Sequence, residues 1–394
     1  MQANLNLNQT GLILMGGGAR AAYQVGVLDS VRSLLVAEGW PTTTNPFPII
    51  CGTSAGALNA VALAAFSHDF EAAMKRMLDV WSNFHASQVY RTDALGSMSN
   101  AAHWLAALGL GWLIKSRPRS LFDNSPLADL LEDFIDFASL QRAFDGGHLH
   151  ALAVTASSYT SGQHVTYYQC KEKIEPWFRT QRLAVATKIK LDHLMASSAI
   201  PFVFPAVSLP LDQGPEFFGD GSIRQTAPIS PAIHLGANRV MVIGVGQLQL
   251  GSERPNHSAS QYAYPSLAQI GGHTMSSIFL DALANDIERL SRVNQTLTLI
   301  PEQTRLESKL RPIKVLVISP SQRLDQLAAP HVASLPRTVR ALMSMLGATE
   351  QRGLGLMSYL LFQSSYTREL IALGRKDTLA QRERVIEFFG APSI

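Results

Sequence analysis

Apolar positions follow a repeated order in the first part of the chain: a short unbroken run, a small-residue turn, then a longer stretch at helical spacing. Leu12-Ile13-Leu14-Met15 is the first run. Such a run, bounded by turn residues, predicts a strand buried on both faces. It leads into Gly16-Gly17-Gly18-Ala19-Arg20, after which Tyr23, Val27, Val31, Leu34 and Leu35 recur at helical spacing until Gly39 and Pro41 end the pattern. Phe47 to Cys51 repeats the strand signal, and Ala55 to Phe66 repeats the helical one. A βαβα opening predicts a parallel sheet with right-handed crossovers.

The pattern then changes. Residues 69–150 read as mainly helical, and Ala151 to Ala156 and His164 to Gln169 read as strands. Leu191 to Ser198 predicts a short helix stopped by Pro201, and Phe217-Phe218 runs into Gly219-Asp220-Gly221-Ser222. Arg239 to Val245 and Lys314 to Ser319 are apolar strands, with a helical stripe of Leu280, Leu283, Ile287 and Leu290 between them. Gln247 to Gln261 is rich in Ser, Pro and Asn and predicts a surface loop. Thr338 to Phe389 predicts two or three helices, whose Leu342, Leu346, Leu360 and Leu361 read as core. The expected fold is α/β: a mainly parallel central sheet between helical layers over residues 11–250. A mainly helical extension over 251–394 packs on it.

Composition narrows the function classes. The chain has 394 residues, 46% hydrophobic and 16% charged, which is ample for a large core and argues against disorder. A net charge of +3 supplies no nucleic-acid footprint. Two cysteines, Cys51 and Cys170, are too few for a disulfide framework or a zinc site. Cys51 ends an apolar strand and reads as a packing residue. Met1 to Thr10 lacks a basic region followed by an apolar run, so no secretory leader is expected and a cytoplasmic location is. Ala101 to Ile114 is the most apolar helical stretch. It is shorter than the ~20 residues that span a bilayer, and reads as a buried helix or a surface helix dipping into lipid.

The chemistry concentrates at Gly52-Thr53-Ser54-Ala55-Gly56. By chance G-x-S-x-G occurs in about one chain in ten of this length. The flanking context therefore decides, and here a strand precedes Ser54 and a helix follows, as a nucleophile elbow requires. Such a turn is tight, so Gly52 and Gly56 must be small. A serine hydroxyl needs a base, either a histidine held by a carboxylate or a carboxylate acting directly. His234, His257, His273 and His331 follow Ser54 without a supporting pattern. Ser54 also comes after only the second strand, earlier than in an α/β-hydrolase triad.

Asp220 is the better base, at a tight turn leaving an apolar run, although Asp-Gly alone also reads as a hairpin turn. The Gly16-Gly17-Gly18 loop has two readings. With Ala21 it fits the dinucleotide fingerprint, but Glu38 falls before the second strand rather than at its end. Alternatively, glycine amides at a helix N-terminus form an oxyanion hole. Arg20 in the first helical turn opposes the macrodipole by roughly 0.3–1 kcal/mol. It reads as a surface ion pair or as a contact for a phosphate headgroup.

Taken together, Gly16-Gly17-Gly18-Ala19-Arg20, Gly52-Thr53-Ser54-Ala55-Gly56, the Ala196 to Pro201 stretch running on to Phe204-Pro205, and Asp220-Gly221 resemble the patatin-like phospholipase family over roughly Gly11 to Pro231. The resemblance implies a Ser54–Asp220 dyad without histidine, an oxyanion hole at Gly16, Gly17 and Gly18, and Arg20 where the family carries Lys or Arg. It implies hydrolysis of phospholipids or other acyl-ester lipids with no metal or cofactor, and it leaves room for peripheral contact at the inner membrane surface. The family's third motif residue is commonly Gly or Ala, here Ser222, and its glycine after the Lys/Arg position is Ala21. Leu280 to Leu290 and Tyr359-Leu360-Leu361-Phe362 look like the extension of bacterial patatin-like proteins. The alternatives are a lipid-binding or regulatory module without turnover, and a nucleotide-dependent enzyme of Rossmann type.

Overall fold

A computed structural model of the chain describes residues 9–92, 120–211, 214–247, 264–307, 310–345, 347–350 and 353–390. The expectations for Ala101 to Ile114, for the loop beyond Gln247 as far as Gln261, for His257 and for Leu346 lie outside them. So does that for the side chain of Leu280.

The apolar runs become the centre of a sheet. β1 (Thr10–Leu14), β2 (Ile49–Thr53) and β3 (Ala151–Ser158) are buried along their whole length. The other strands are β4 (His164–Cys170), β5 (Phe178–Arg179), β6 (Arg182–Ala186), β7 (Val207–Leu211), β8 (Gly214–Asp220), β9 (Arg239–Ile243) and β10 (Lys314–Ile318). Their order is β10-β9-β1-β2-β3-β4-β6-β5, with β8 also on β3 and β7 on β8. The run from β10 to β3 is parallel throughout. β3–β4, β3–β8, β5–β6 and β7–β8 are antiparallel. β10 comes from beyond residue 250, so the sheet draws strands from both sides of that position.

Period-two alternation divides the side chains between two cores. Leu12, Leu14, Ile50 and Leu152 enter one; Ile13, Ile49, Cys51 and Ala153 enter the other. The first core is the thicker. It takes α1 (Ala22–Ala37), α2 (Ala55–Ala65), α3 (Phe70–Ser82), α4 (Ser125–Phe134), α5 (Phe137–Asp145) and α6 (Leu191–Ser197). The second is covered by α7 (Ser230–His234) and α8 (Leu267–Thr298), whose Leu283, Ile287 and Leu290 face the sheet. The result is three layers, helices–sheet–helices. Cys51 packs in the second core, where burial pushes its thiol well above the ordinary range.

After α9 (Glu302–Glu307) and α10 (Leu324–Ala328), residues 337–389 hold four helices rather than two or three. These are α11 (Arg337–Met345), α12 (Leu354–Leu360), α13 (Ser364–Leu379) and α14 (Arg382–Phe389). Leu360 and Leu361 are core residues, and Leu342 is half-buried against the core. α13 is tied to α1 by the Tyr23 hydroxyl, which donates to Asp377 Oδ2 at 3.0 Å; Ser321 Oγ donates to the other oxygen at 2.6 Å. Among the described residues no helix is long and apolar enough to cross a membrane.

Candidate active site

Strand register brings Ser54 and Asp220 together. β2 runs parallel to β3 and ends with Thr53 opposite Thr155. β8 runs antiparallel to β3 and ends with Asp220 opposite Ala156. Two strands approaching from opposite directions therefore finish at adjacent positions of one partner, and their terminal side chains meet. Ser54 Oγ donates to Asp220 Oδ2 at 2.5 Å, the length of a charge-assisted O–H···O bond.

The turn at Ser54 is strained in the way an elbow requires. Ser54 has φ 55° and ψ −134°, outside the regions that side-chain-bearing residues favour. A Cβ at Gly52 would stand 2.5 Å from the Gly56 carbonyl oxygen. One at Gly56 would stand 2.6 Å from the Leu14 carbonyl carbon. Backbone atoms cannot rotate aside, so both positions must be glycine. The Ser54 N–H donates to Ser197 Oγ at 2.9 Å, and its carbonyl accepts from Ala57 at 2.8 Å, starting α2. Beneath the turn, Gln225 Nε2 donates to Thr53 Oγ1 at 2.8 Å, and the Thr53 and Thr155 hydroxyls share a hydrogen bond at 2.7 Å.

Ser54 and Asp220 are each 1% exposed. Burial pushes the Asp220 carboxyl up to about 6; the hydrogen bonds from Ser54 and Ser222 pull the other way and offset only part of it. The Ser222 N–H donates to Asp220 Oδ1 at 2.9 Å, and the Asp220 N–H is held by the Ala199 carbonyl at 2.9 Å. The Ala196–Pro201 stretch thus supplies contacts to both residues, through Ser197 and Ala199. Among the described residues no histidine bonds to Ser54 or Asp220. His234 stacks on Trp177 with ring centroids 4.6 Å apart, and His331 contacts Glu369 at 2.5 Å. His164 lies buried beside the Gly221 carbonyl, where desolvation pushes its imidazole down to about 4 and keeps it neutral.

The glycine loop leaves the end of β1 beside Ser54. Gly16, Gly17 and Gly18 are buried, and Gly18 adopts φ +55°. Among the described residues the N–H groups of Gly16, Gly17 and Gly18 have no backbone acceptor, and Gly18 lies with Ser54 in the wall of a small cavity near the positive end of the α1 helix system. A buried polar chain, invisible to pattern reading, holds the loop at both ends. Gln24 Nε2 donates to the Met15 carbonyl at 2.7 Å, and Asn59 Nδ2 donates to the Ala21 carbonyl at 3.1 Å and to Gln24 Oε1 at 2.9 Å. Trp81 Nε1 closes the chain on Asn59 Oδ1 at 2.8 Å. The one signal for these residues is a lone amide inside each of two apolar helical stretches.

Arg20 is turned away from solvent. Its guanidinium is buried, donates to Ser358 Oγ at 2.6 Å and to the Tyr359 hydroxyl at 3.1 Å, and lies 3.9 Å from the centre of the Tyr359 ring. In this structure the guanidinium grips α12. Between the loop, Ser54 and the helices lies a cavity of about 20 Å³, lined by Gly18, Leu58, Phe84, Phe204 and Phe362 among others. That volume holds about one water molecule.

Sequence and structure comparisons place the chain. A family model described as patatin-like phospholipase matches residues 12–233. A search of curated proteins finds no match. Among solved structures, VipD from Legionella pneumophila is similar at 13% identity, over 93% of this chain and 67% of that one, with a TM-score of 0.31. Because the family model takes in more than half of the chain, the chain belongs to the patatin-like phospholipase family, whose members are in general lipid acyl hydrolases.

Proposed function

We propose that the protein hydrolyses acyl esters of phospholipids or related lipids through a Ser54–Asp220 dyad. The observation that carries this reading is the 2.5 Å bond from Ser54 Oγ to a buried carboxylate whose affinity for a proton is raised. Ser54 Oγ attacks the ester carbonyl as its proton passes to Asp220 Oδ2. The carbonyl oxygen gains negative charge opposite the amides of the Gly16–Gly18 loop, in a site dry enough for such donors to act strongly. The intermediate collapses, Asp220 returns the proton to the leaving alcohol, and an acyl-enzyme on Ser54 remains. Water enters, gives its proton to Asp220 and attacks the acyl carbon. The second intermediate expels Ser54 Oγ, which recovers the proton as the fatty acid leaves.

In this reading Gly52 and Gly56 shape the elbow and residues 11–250 supply the chemistry. Arg20 is a positioning residue: it fixes α12, from the extension beyond 250, against the glycine loop. The cavity suits an acyl chain by its apolar lining and not by its present size, so the rings of Phe84, Phe204 and Phe362 must part for a chain to enter. A lipid substrate implies peripheral contact with a membrane surface.

The direct test is labelling with a fluorophosphonate followed by mass mapping. The label is expected on Ser54 and is expected to vanish in Ser54→Ala; a label elsewhere, or none on folded protein, refutes the assignment. The pH profile tests the base. Asp220 must be ionised to accept the Ser54 proton, so kcat/KM for a soluble short-chain ester should rise with pH through an inflection near 6. An inflection near 4, the ordinary carboxylate range, would remove Asp220 from the role.

A further inference from the structure

A second and much larger concavity lies on the far side of the turn that follows Asp220. A groove of about 940 Å³ runs between residues 222–226 and one face of α8, at the upper end of the size range for small-ligand sites. Ser222 and Gln225 form part of its wall. α8 packs its Leu283 stripe on the sheet, and it presents a second stripe, including Ile278, Ala282 and Val293, to the groove.

The chemistry is divided along the length of the groove. Among the described lining residues, Arg224, Arg289 and Arg292 stand with one carboxylate, Glu288, which is already held by Arg292 at 2.5 Å. Arg224 reaches the neutral Gln181 Oε1 at 3.3 Å. Arg289 has Asp286 in its field and makes no contact ion pair among the described residues. Past these cations, Val293, Ile300 and Leu310 form an apolar trough. Residues 289 to 298 rise about 14 Å along the helix and Ile300 lies just beyond its end, which gives the trough the reach of a long acyl chain. A cationic head with an apolar trough fits a single-chain anionic amphiphile.

We propose that this groove binds a long-chain fatty acid, with its carboxylate at Arg289 and Arg224 and its chain along Val293, Ile300 and Leu310. That this ligand is the enzyme's own product rests on the function proposed above; the binding itself does not. Occupancy is linked to the dyad by two contacts. The Ser222 N–H holds Asp220 Oδ1, and Gln225 Nε2 holds Thr53 Oγ1. A chain in the groove bears on the residues that set the dyad's hydrogen bonds, so the product can report its concentration to the site that makes it.

The test uses the full chain carrying Ser54→Ala, titrated with the fluorescent fatty acid cis-parinaric acid. Saturable one-site binding is expected, weakened at least tenfold by adding Arg289→Glu, which reverses the head charge. Val293→Trp, which fills the trough, should weaken it comparably, with thermal melting confirming that each variant is folded. The alcohol of the same chain length should compete at least tenfold less well than the acid. No saturable binding, binding that both substitutions leave unchanged, or equal competition by the alcohol would each overturn the proposal. Because Ser54→Ala cannot turn over, the outcome stands whether or not the hydrolase reading survives, and a failed labelling experiment leaves it untouched.

Discussion

Asp220→Asn is expected to cut ester hydrolysis by about 10⁴-fold and, at the same time, to make the protein harder to unfold at pH 8. The loss follows from chemistry: an amide cannot take the Ser54 proton. The gain follows from burial. Asp220 has its proton affinity raised from 3.8 to about 6 in the fold. A raised carboxyl favours folding most below its unfolded value, and that advantage is lost as pH rises through the folded one. At pH 8 the ionised carboxylate therefore costs about 3 kcal/mol relative to an unperturbed group. Asparagine keeps the acceptor for the Ser222 N–H and the partner for Ser54 Oγ without the charge, so melting should rise by several degrees at pH 8. The gain should shrink below pH 6 and disappear below about pH 4. Retained turnover would exclude Asp220 as the base, and a melting difference that does not change with pH would exclude its desolvation.

Gly18→Ala should lower kcat by about 10²–10³-fold, the cost of losing an oxyanion donor. Gly18 adopts φ +55°, where alanine is strained by roughly 1–2 kcal/mol. Its added Cβ would also collide with the Tyr359 carbonyl oxygen. A backbone oxygen at the end of α12 cannot swing aside, so either the loop or the helix must move, and the loop amides leave the line of the developing charge. Gly39→Ala provides the control. Gly39 has φ +91° with nothing within 4 Å of the added methyl, so it carries the backbone strain without the collision. It should lose some stability and keep its turnover. A folded Gly18→Ala enzyme with wild-type kcat would show that this loop does not hold the oxyanion.

What is legible in the sequence is local. β1, β2 and β3 are fully buried, so their apolar runs are unbroken and easy to read. β5 is two exposed residues, and β7 alternates buried or half-buried apolar positions with an exposed Ser208 and Pro210, so neither carries an apolar run to mark it. Among the described residues of 337–389, only two or three residues separate α12 from α13 and α13 from α14, which blurs four helices into two or three. At the site, Ser54, Gly52 and Gly56 are readable because a tight turn dictates residue size. Asp220 is readable because its turn follows a strand. Arg20 is not, because its partners Ser358 and Tyr359 lie more than 330 positions away and no local rule connects them. Gln24 and Asn59 show the same limit, since a lone amide in an apolar helix declares that it is buried without declaring what it holds.

The grip of Arg20 on α12 also has a consequence in time. A ribosome releases the glycine loop, the elbow and Asp220 well before residues 354–362, at about 5–20 residues per second. Until that late segment arrives, Arg20 has neither Ser358 nor Tyr359 to hold, and Phe362 is missing from the wall beside Ser54. The pocket therefore takes its final form only after residues 354–362 emerge, long after Ser54 and Asp220 have been made, and until then the nascent chain carries both residues with that pocket incomplete.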